Sequence, residues 1–321
     1  MSRIAFIGDM HLDNRTPVSR LDNYEETSLR KLQTLINECI ANQTYYIVTT
    51  SDFFNRNDIS ISYLNKVINI LKEARNKHGI ILYSVIGNHD LPYNNMKYFS
   101  STPLHTLASL NLVYLLGNDF DVLFSGVHIY GMSYTEKGNW EPKNYDENCY
   151  NILVTHYALT NNFGEKDYLP IESLGNKFNL IVAGHDHTFF RAQVTKEEKP
   201  TIILRPGAFI RRTKIANEEI TELTDGVFKK DNIVYYVVDT ESNTVEPKLL
   251  GGVEPSELVF KASSIEAQDF KLDSYSMLDE VFENVEFTNK TSDELLDILL
   301  NNLDIEEDIK QRIKKHILDN R

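Results

Sequence analysis

Along the first 210 positions, apolar residues fall into short runs separated by polar, turn-forming stretches. The runs at 3–7, 45–50, 80–86, 121–130, 151–155 and 179–183 are rich in Val, Ile, Tyr and Phe, the composition of buried strands. Between the first three runs the period changes. Residues 24–42 place Leu29, Leu32, Leu35, Ile36 and Ile40 at helical spacing, and residues 60–77 do the same with Leu64, Val67, Ile68 and Leu71. Strand alternating with helix predicts an α/β sheet core. Shorter apolar runs at 202–204 and 232–239 add later strands.

The texture changes near residue 250. Gly251, Gly252 and Pro255 mark a break, and 260–286 is mixed in character. Thr291 and Glu294 form a capping box that opens a helix carrying Leu295, Leu296, Leu299 and Leu300. Asp304 and Glu307 open another, with Ile305, Ile309, Ile313 and Ile317 along one side. The expected organisation is a main domain over 1–250, a short cap or linker over 251–290 and a helical segment over 291–321. No apolar stretch approaches the roughly 18 residues needed to span a bilayer. The run before Asp9 lacks the length and cleavage pattern of a signal peptide. Cys39 and Cys149 stand in no metal-binding or redox spacing, which fits a reducing, cytoplasmic compartment.

Charge narrows the choice of substrate. The 321 residues carry a net charge of -14, with 41% hydrophobic and 25% charged residues. A chain that grips phosphate backbone unaided usually shows a basic face. Either the substrate is small, or metals and a partner supply the positive charge.

The candidate chemistry lies where the runs end. Asp9 and His11 follow the first run, Asp52 the second, Asn88 and His89 the third, His156 the fifth, and His185 and His187 the sixth. Binding sites collect at the carboxyl ends of strands. Asp, Asn and His without Cys suit Mn, Fe or Zn and disfavour a structural zinc site. A carboxylate such as Asp52 can bridge two ions; two ions about 3.5–4 Å apart clamp a phosphoryl group and activate a water. In extended chain, Asp9 and His11 would share one face, as would His185 and His187. Any one of these short motifs alone reads as an ordinary turn; five of them, each at a strand end, do not. His78, His105, His128 and His316 sit in helical, loop, strand-interior and terminal contexts and read as structural or solvated, and Cys39 reads as core.

The order Gly-Asp-x-His, isolated Asp, Gly-Asn-His-Asp, His, Gly-His-x-His resembles the signature of calcineurin-like metallophosphoesterases. Within that family the chain most resembles SbcD-type nuclease subunits of DNA recombination and repair complexes, which large bacteriophages also carry. Asp9-Met10-His11-Leu12, Asp52-Phe53-Phe54 and Arg205-Pro206-Gly207-Ala208 carry the likeness. The resemblance implies a two-sheet β sandwich flanked by helices, with two metal ions at one edge. It implies that Asp9, His11, Asp52 and His187 hold one ion, that Asp52, Asn88, His156 and His185 hold the other, and that His89 is the general acid or phosphate-orienting group. It further implies a manganese-dependent exonuclease, with endonuclease activity also within its range, cutting DNA as a homodimer with an SbcC-type coiled-coil ATPase docked on the C-terminal helices. Ser51 stands where Gly often precedes the second-motif Asp, and Asn55 where many members carry an acidic residue or His. Residues 251–290 are short for the capping domain of larger relatives. Two other readings remain open: a stand-alone phosphoesterase for nucleotides or phosphoproteins, and a scaffold that has lost the chemistry.

Overall fold

The computed structural model describes residues 3–262 apart from 120, 125, 137–139, 161–167, 171–173, 175–176, 197–198 and 213–231. The chain divides into two units, Met1–Lys261 and Ala262–Arg321, and the described residues fall almost wholly in the first. The expected helical segment 291–321 lies outside them, as does most of 251–290.

In chain order the described strands are β1 (Arg3–Ile7), β2 (Tyr46–Thr49), β3 (Ile81–Ser84), β4 (Tyr114–Leu115), β5 (Asp121–Phe124), β6 (Val127–Met132) and β7 (Tyr150–Thr155). They continue with β8 (Ala158–Thr160), β9 (Tyr168–Pro170), β10 (Leu180–Ala183), β11 (Phe190–Lys196), β12 (Lys199–Arg205), β13 (Val234–Asp239) and β14 (Thr244–Leu249). The helices are α1 (Tyr24–Ala41), α2 (Ile61–His78), α3 (Pro103–Ser109) and the single turn α4 (Ser256–Val259). Two six-stranded sheets result, ordered β14-β13-β1-β2-β3-β4 and β11-β12-β10-β7-β6-β5. β1, β2 and β3 run parallel, as crossover helices require, and β7 and β10 run parallel in the other sheet. This is the expected two-sheet sandwich flanked by helices.

The runs are apolar throughout because both faces of each sheet are covered. Ile4 and Phe6 of β1 meet Ile152 and Val154 of β7 and Leu180 and Val182 of β10 between the sheets. Ala5 and Ile7 turn the other way, onto Leu32, Leu35 and Ile36 of α1 and Val67 and Leu71 of α2. On the far side of the second sheet, Leu153, Ile181 and Ile203 are covered by Tyr157, Leu169 and Phe178. Each large side chain so buried contributes about 1.5–3 kcal/mol relative to exposure. Cys39 belongs to the core, as expected. The helix bounds follow from caps: Asn23 Oδ1 accepts from Glu26 N–H, Ser60 Oγ accepts from Tyr63 N–H, and α2 stops at a left-handed Gly79.

One expected strand is two. The run 121–130 folds back at Gly126, whose φ of +79° suits a tight turn, and β5 pairs antiparallel with β6. With apolar residues on both sides of the turn, periodicity alone could not show the reversal.

A buried lysine tests this core. Lys31 of α1 is almost wholly enclosed, and burial, with Arg211 and Arg20 nearby, pushes its ammonium down from 10.5 to about 7. The unfolded chain therefore holds a proton there that the folded chain releases, so stability rises with pH between about 7 and 10.5. Lys31→Met is expected to raise stability at pH 7 by at least about 1 kcal/mol, one pKa unit being worth about 1.4 kcal/mol. That gain should shrink towards pH 10.5 in urea melts of wild type and variant; a gain independent of pH would contradict the assignment.

Candidate metal centre

The loops after β1 and β2 are zipped together by their backbones. Met10 N–H donates to Ser51 C=O at 3.1 Å, His11 N–H to Asp52 C=O at 2.7 Å and Leu12 N–H to Phe53 C=O at 3.1 Å. The zip demands unusual conformations: φ is +48° at His11, +90° at Ser51 and +38° at Asp52, with +70° at His185 across the site. Such values are uncommon outside glycine and cluster at functional sites. They also correct the expectation of extended alternation. Asp9 and His11, like His185 and His187, reach the site through left-handed turns rather than from one face of a straight strand.

All eight residues singled out from the sequence meet at this edge of the sandwich. His11 and His187 bring their Nε2 atoms within 2.9 Å of each other, and His187 Nε2 lies 3.8 Å from Asp9 Oδ2. Asp52 Oδ2 is 3.8 Å from His11 Nε2 and 3.9 Å from His89 Nε2, while its Oδ1 is 3.3 Å from His156 Nε2. His156 Nε2 is 3.0 Å from Asn88 Oδ1, and its ring centroid is 5.3 Å from that of His185. Three overlapping groups, Asp9–His11–His187, His11–Asp52–His89 and Asp9–Asp52–His156, place their ligand atoms within 4.8 Å of one another. His89 thus lies within a ligand's reach.

A second layer of residues aims the first, and the sequence alone did not point to it. Thr50 Oγ1 donates to Asp9 Oδ1 at 2.6 Å, and the backbone N–H groups of His185 and His89 donate to Asp9 Oδ2 and Asp52 Oδ1 at 2.8 and 3.0 Å. His156 Nδ1 lies 2.7 Å from Thr50 C=O, and His89 Nδ1 lies 2.7 Å from Asn55 C=O. A carbonyl can only accept, so both Nδ1 atoms carry hydrogen and both Nε2 atoms face the centre, the usual outer support of a metal-binding imidazole. Asp90 is buried and accepts from Ser51 Oγ and from the N–H groups of Phe53, Phe54 and Gly87 at 2.6–3.3 Å. It ties the Asn88 loop to the Asp52 loop. Its one sequence signal was its place at the end of Gly-Asn-His-Asp. Tyr134 gave none; its ring reaches the site from beyond β6, 5.7 Å from His185. Two glycines stand where no side chain fits: a Cβ on Gly87 would lie 2.1 Å from Asp52 Oδ1, and one on Gly184 would lie 2.4 Å from Asp9 Oδ1.

The electrostatics show what this arrangement lacks. Burial raises the Asp9 carboxyl to about 7, opposed by His156 and reinforced by Asp52. Burial would raise Asp52 as well, but His156, His11 and His89 hold it far below the carboxylate range. Burial lowers His11 well below its usual value and His187 to about 4, so these rings are neutral. His156, despite burial, is raised to about 10 by Asp52 and Asp9. His11 Nδ1 is buried without a hydrogen-bond partner. Two buried carboxylates, the ring nitrogens of His11, His156 and His187 and the Asn88 amide oxygen converge here. The donor set is oxygen and nitrogen without thiolate, and a pair of divalent cations fits it.

Residues 2–189 match the sequence profile of the calcineurin-like phosphoesterases. The chain belongs to this family. As a calcineurin-like phosphoesterase it is a metal-dependent hydrolase. The site described above supplies the Asp and His cluster that two metals would need. The fold is also similar to a solved dimetal phosphatase from Danio rerio, at 12% identity over 78% of this chain and 96% of that one, with a TM-score of 0.50. A solved structure of a novel archaeal phosphodiesterase aligns at 13% identity over 77% of this chain and 99% of that one, with a TM-score of 0.36. No curated protein sequence matches the phosphoesterase chain. Among the described residues, no helix is long and apolar enough to cross a membrane.

Two substitutions away from the ligands test the supporting layer. Gly184→Ala should push Asp9 aside and weaken Mn2+ affinity about 10–100-fold in calorimetric titration, with the far-ultraviolet circular dichroism unchanged. Asp90→Ala should strand the Ser51 hydroxyl and the N–H groups of Phe53 and Phe54, cost roughly 2–4 kcal/mol in denaturant melts and weaken Mn2+ to a similar degree. Wild-type affinity in either would show that the layer does not position the centre.

Proposed function

We propose that this phosphoesterase hydrolyses phosphodiester bonds in DNA with the help of two divalent cations, manganese being the preferred ion. The observation that carries the two-cation reading is the placement of Asp52. One oxygen faces His156 and the other faces His11 and His89, at 3.3–3.9 Å, so a single buried carboxylate can serve two cations. Asp9, His11 and His187 complete one set, and Asn88, His156 and His185 the other. When bound, two such ions neutralise phosphoryl charge and acidify a water. The chain does the rest. Thr50 and the His185 amide orient Asp9; the Asn55 carbonyl holds His89 Nδ1, which leaves its Nε2 facing Asp52 at the centre. From there a protonated His89 can hydrogen-bond a phosphoryl oxygen or deliver a proton to the leaving oxygen.

The DNA substrate rests on the likeness of the Asp-Met-His-Leu, Asp-Phe-Phe and Arg-Pro-Gly-Ala segments to SbcD-type nucleases. The same likeness supports an exonuclease, with endonuclease activity in reserve, acting as a homodimer in the cytoplasm of a bacterial or phage-infected cell. Its partner would be an SbcC-type ATPase docked on residues 291–321, which would add positive charge along the DNA path to a chain of net charge -14. That same charge favours a second reading, a stand-alone hydrolase of small phosphoesters.

Hydrolysis of single-stranded DNA, double-stranded DNA and a small phosphodiester in Mn2+, with and without the ATPase, separates the two. Release from the small substrate alone ends the nuclease reading. Asp52→Ala should lower turnover by about 10³-fold or more, since both cations lose a ligand. Deleting 291–321 should leave Mn2+ binding intact and abolish pull-down of the ATPase; retained pull-down would refute the docking role.

A further inference from the structure

Immediately beyond Asp90 the chain makes two 3-10 turns, Pro92–Asn94 and Met96–Ser101, anchored by the buried side chains of Leu91 and Phe99. Tyr93 between the anchors is 91% exposed, and Tyr98 and Met96 are exposed beside it. The Tyr93 and Tyr98 rings lie 5.8 Å apart at 70°, and Lys97 Nζ sits 5.9 Å over the Tyr98 ring. Nor is the turn loose. Asn94 N–H donates to Leu91 C=O at 3.2 Å, Tyr98 N–H to Asn95 C=O at 3.1 Å and Lys97 N–H to Asn95 Oδ1 at 2.9 Å. Tyr93 and Asn94 are both left-handed, at φ +56° and +52°. Asparagine accepts that conformation readily, whereas for a bulky residue such as tyrosine it is an outlier. The backbone is held in an unfavourable state that keeps an aromatic ring in water.

The same turn borders the site. A pocket of about 360 Å³ is lined by Asn55, Asn57, Asn88, His89 and Asn94, together with Arg56 and Asp58. Arg56 is already engaged: it gives two hydrogen bonds of 2.9 Å to Asp13 and lies 3.6 Å from Asp58. Away from His89 the pocket offers mainly amide donors and acceptors, its one arginine being paired. It suits a neutral, flat, hydrogen-bonding group rather than a second phosphate.

We propose that Tyr93 and Tyr98 form a stacking platform for a nucleobase next to the scissile phosphate, with the neighbouring asparagines reading its edge or its sugar. This rests on the phosphodiesterase reading above and specifies its substrate: nucleic acid whose base has left the stack, at a single-stranded or frayed end. Base stacking on aromatic side chains is sequence-tolerant, because every base has a π-face.

The test compares an oligothymidylate with an abasic tetrahydrofuran oligomer of equal length, using the full-length protein in Mn2+. Wild type should prefer the base-bearing oligomer in kcat/KM. Tyr93→Ala and Tyr98→Ala should each reduce that preference about 5–100-fold, the range for losing one stacked base. Tyr93→Phe should restore it, because stacking needs the ring and not the hydroxyl. Both tyrosines are exposed, and unchanged melting temperatures would confirm that the variants fold. A wild type without preference, or variants that lose activity equally on both oligomers, overturns the platform and leaves the nuclease reading standing. A wild type that cleaves neither oligomer but hydrolyses phenyl phosphate overturns both.

Discussion

Two carboxylates buried side by side are the constraint from which the rest of the site follows. Asp9 and Asp52 sit in the same enclosed space, and neither can hold its charge there without an answering one. Part of the answer is hydrogen bonding from Thr50 and from the backbone of His185 and His89. Part is the imidazoles, of which His156 holds a second proton and is charged where His11 and His187 are neutral. A pair of divalent cations, held by Asp9, His11, Asp52, Asn88, His156, His185 and His187, would supply the rest of the positive charge.

Holding such a site open requires a scaffold that does not relax. Two sheets, each covered on both faces, fix the ends of β1, β2, β3, β7 and β10 at one edge. The loops that leave those ends are locked to each other, by the zip between 10–12 and 51–53 and by Asp90. Gly87 and Gly184 let backbone run against the two carboxylates where any side chain would push them away. The left-handed residues at His11, Ser51, Asp52 and His185 cost conformational energy that this framework absorbs.

Arg56 is paired with Asp13, Arg205 with Asp186, and the pocket beside His89 is lined by amides. Attraction for phosphate would then come from the cations in the centre, and selectivity from groups that recognise what the phosphate carries. An exposed tyrosine pair on a stiff turn is a device of that kind.

Much of this was legible in the chain. The apolar runs and the helical spacing of Leu32, Leu35, Val67 and Leu71 announced the sandwich and its helices, because covered sheets need continuous apolar strands and helices need one apolar stripe. The ligand set was legible because each member follows a strand, and parallel strands deliver their carboxyl ends to one edge. What eluded sequence was set by contacts between distant segments. The hairpin hidden in 121–130, the left-handed route of His11, the role of Asp90 between two loops and the approach of Tyr134 all depend on neighbours that are remote in the chain. Local pattern determines which segments are strands and which side chains can bind metal. Only the folded structure decides where those side chains point, because orientation is set by backbone hydrogen bonds and close packing across dozens of residues.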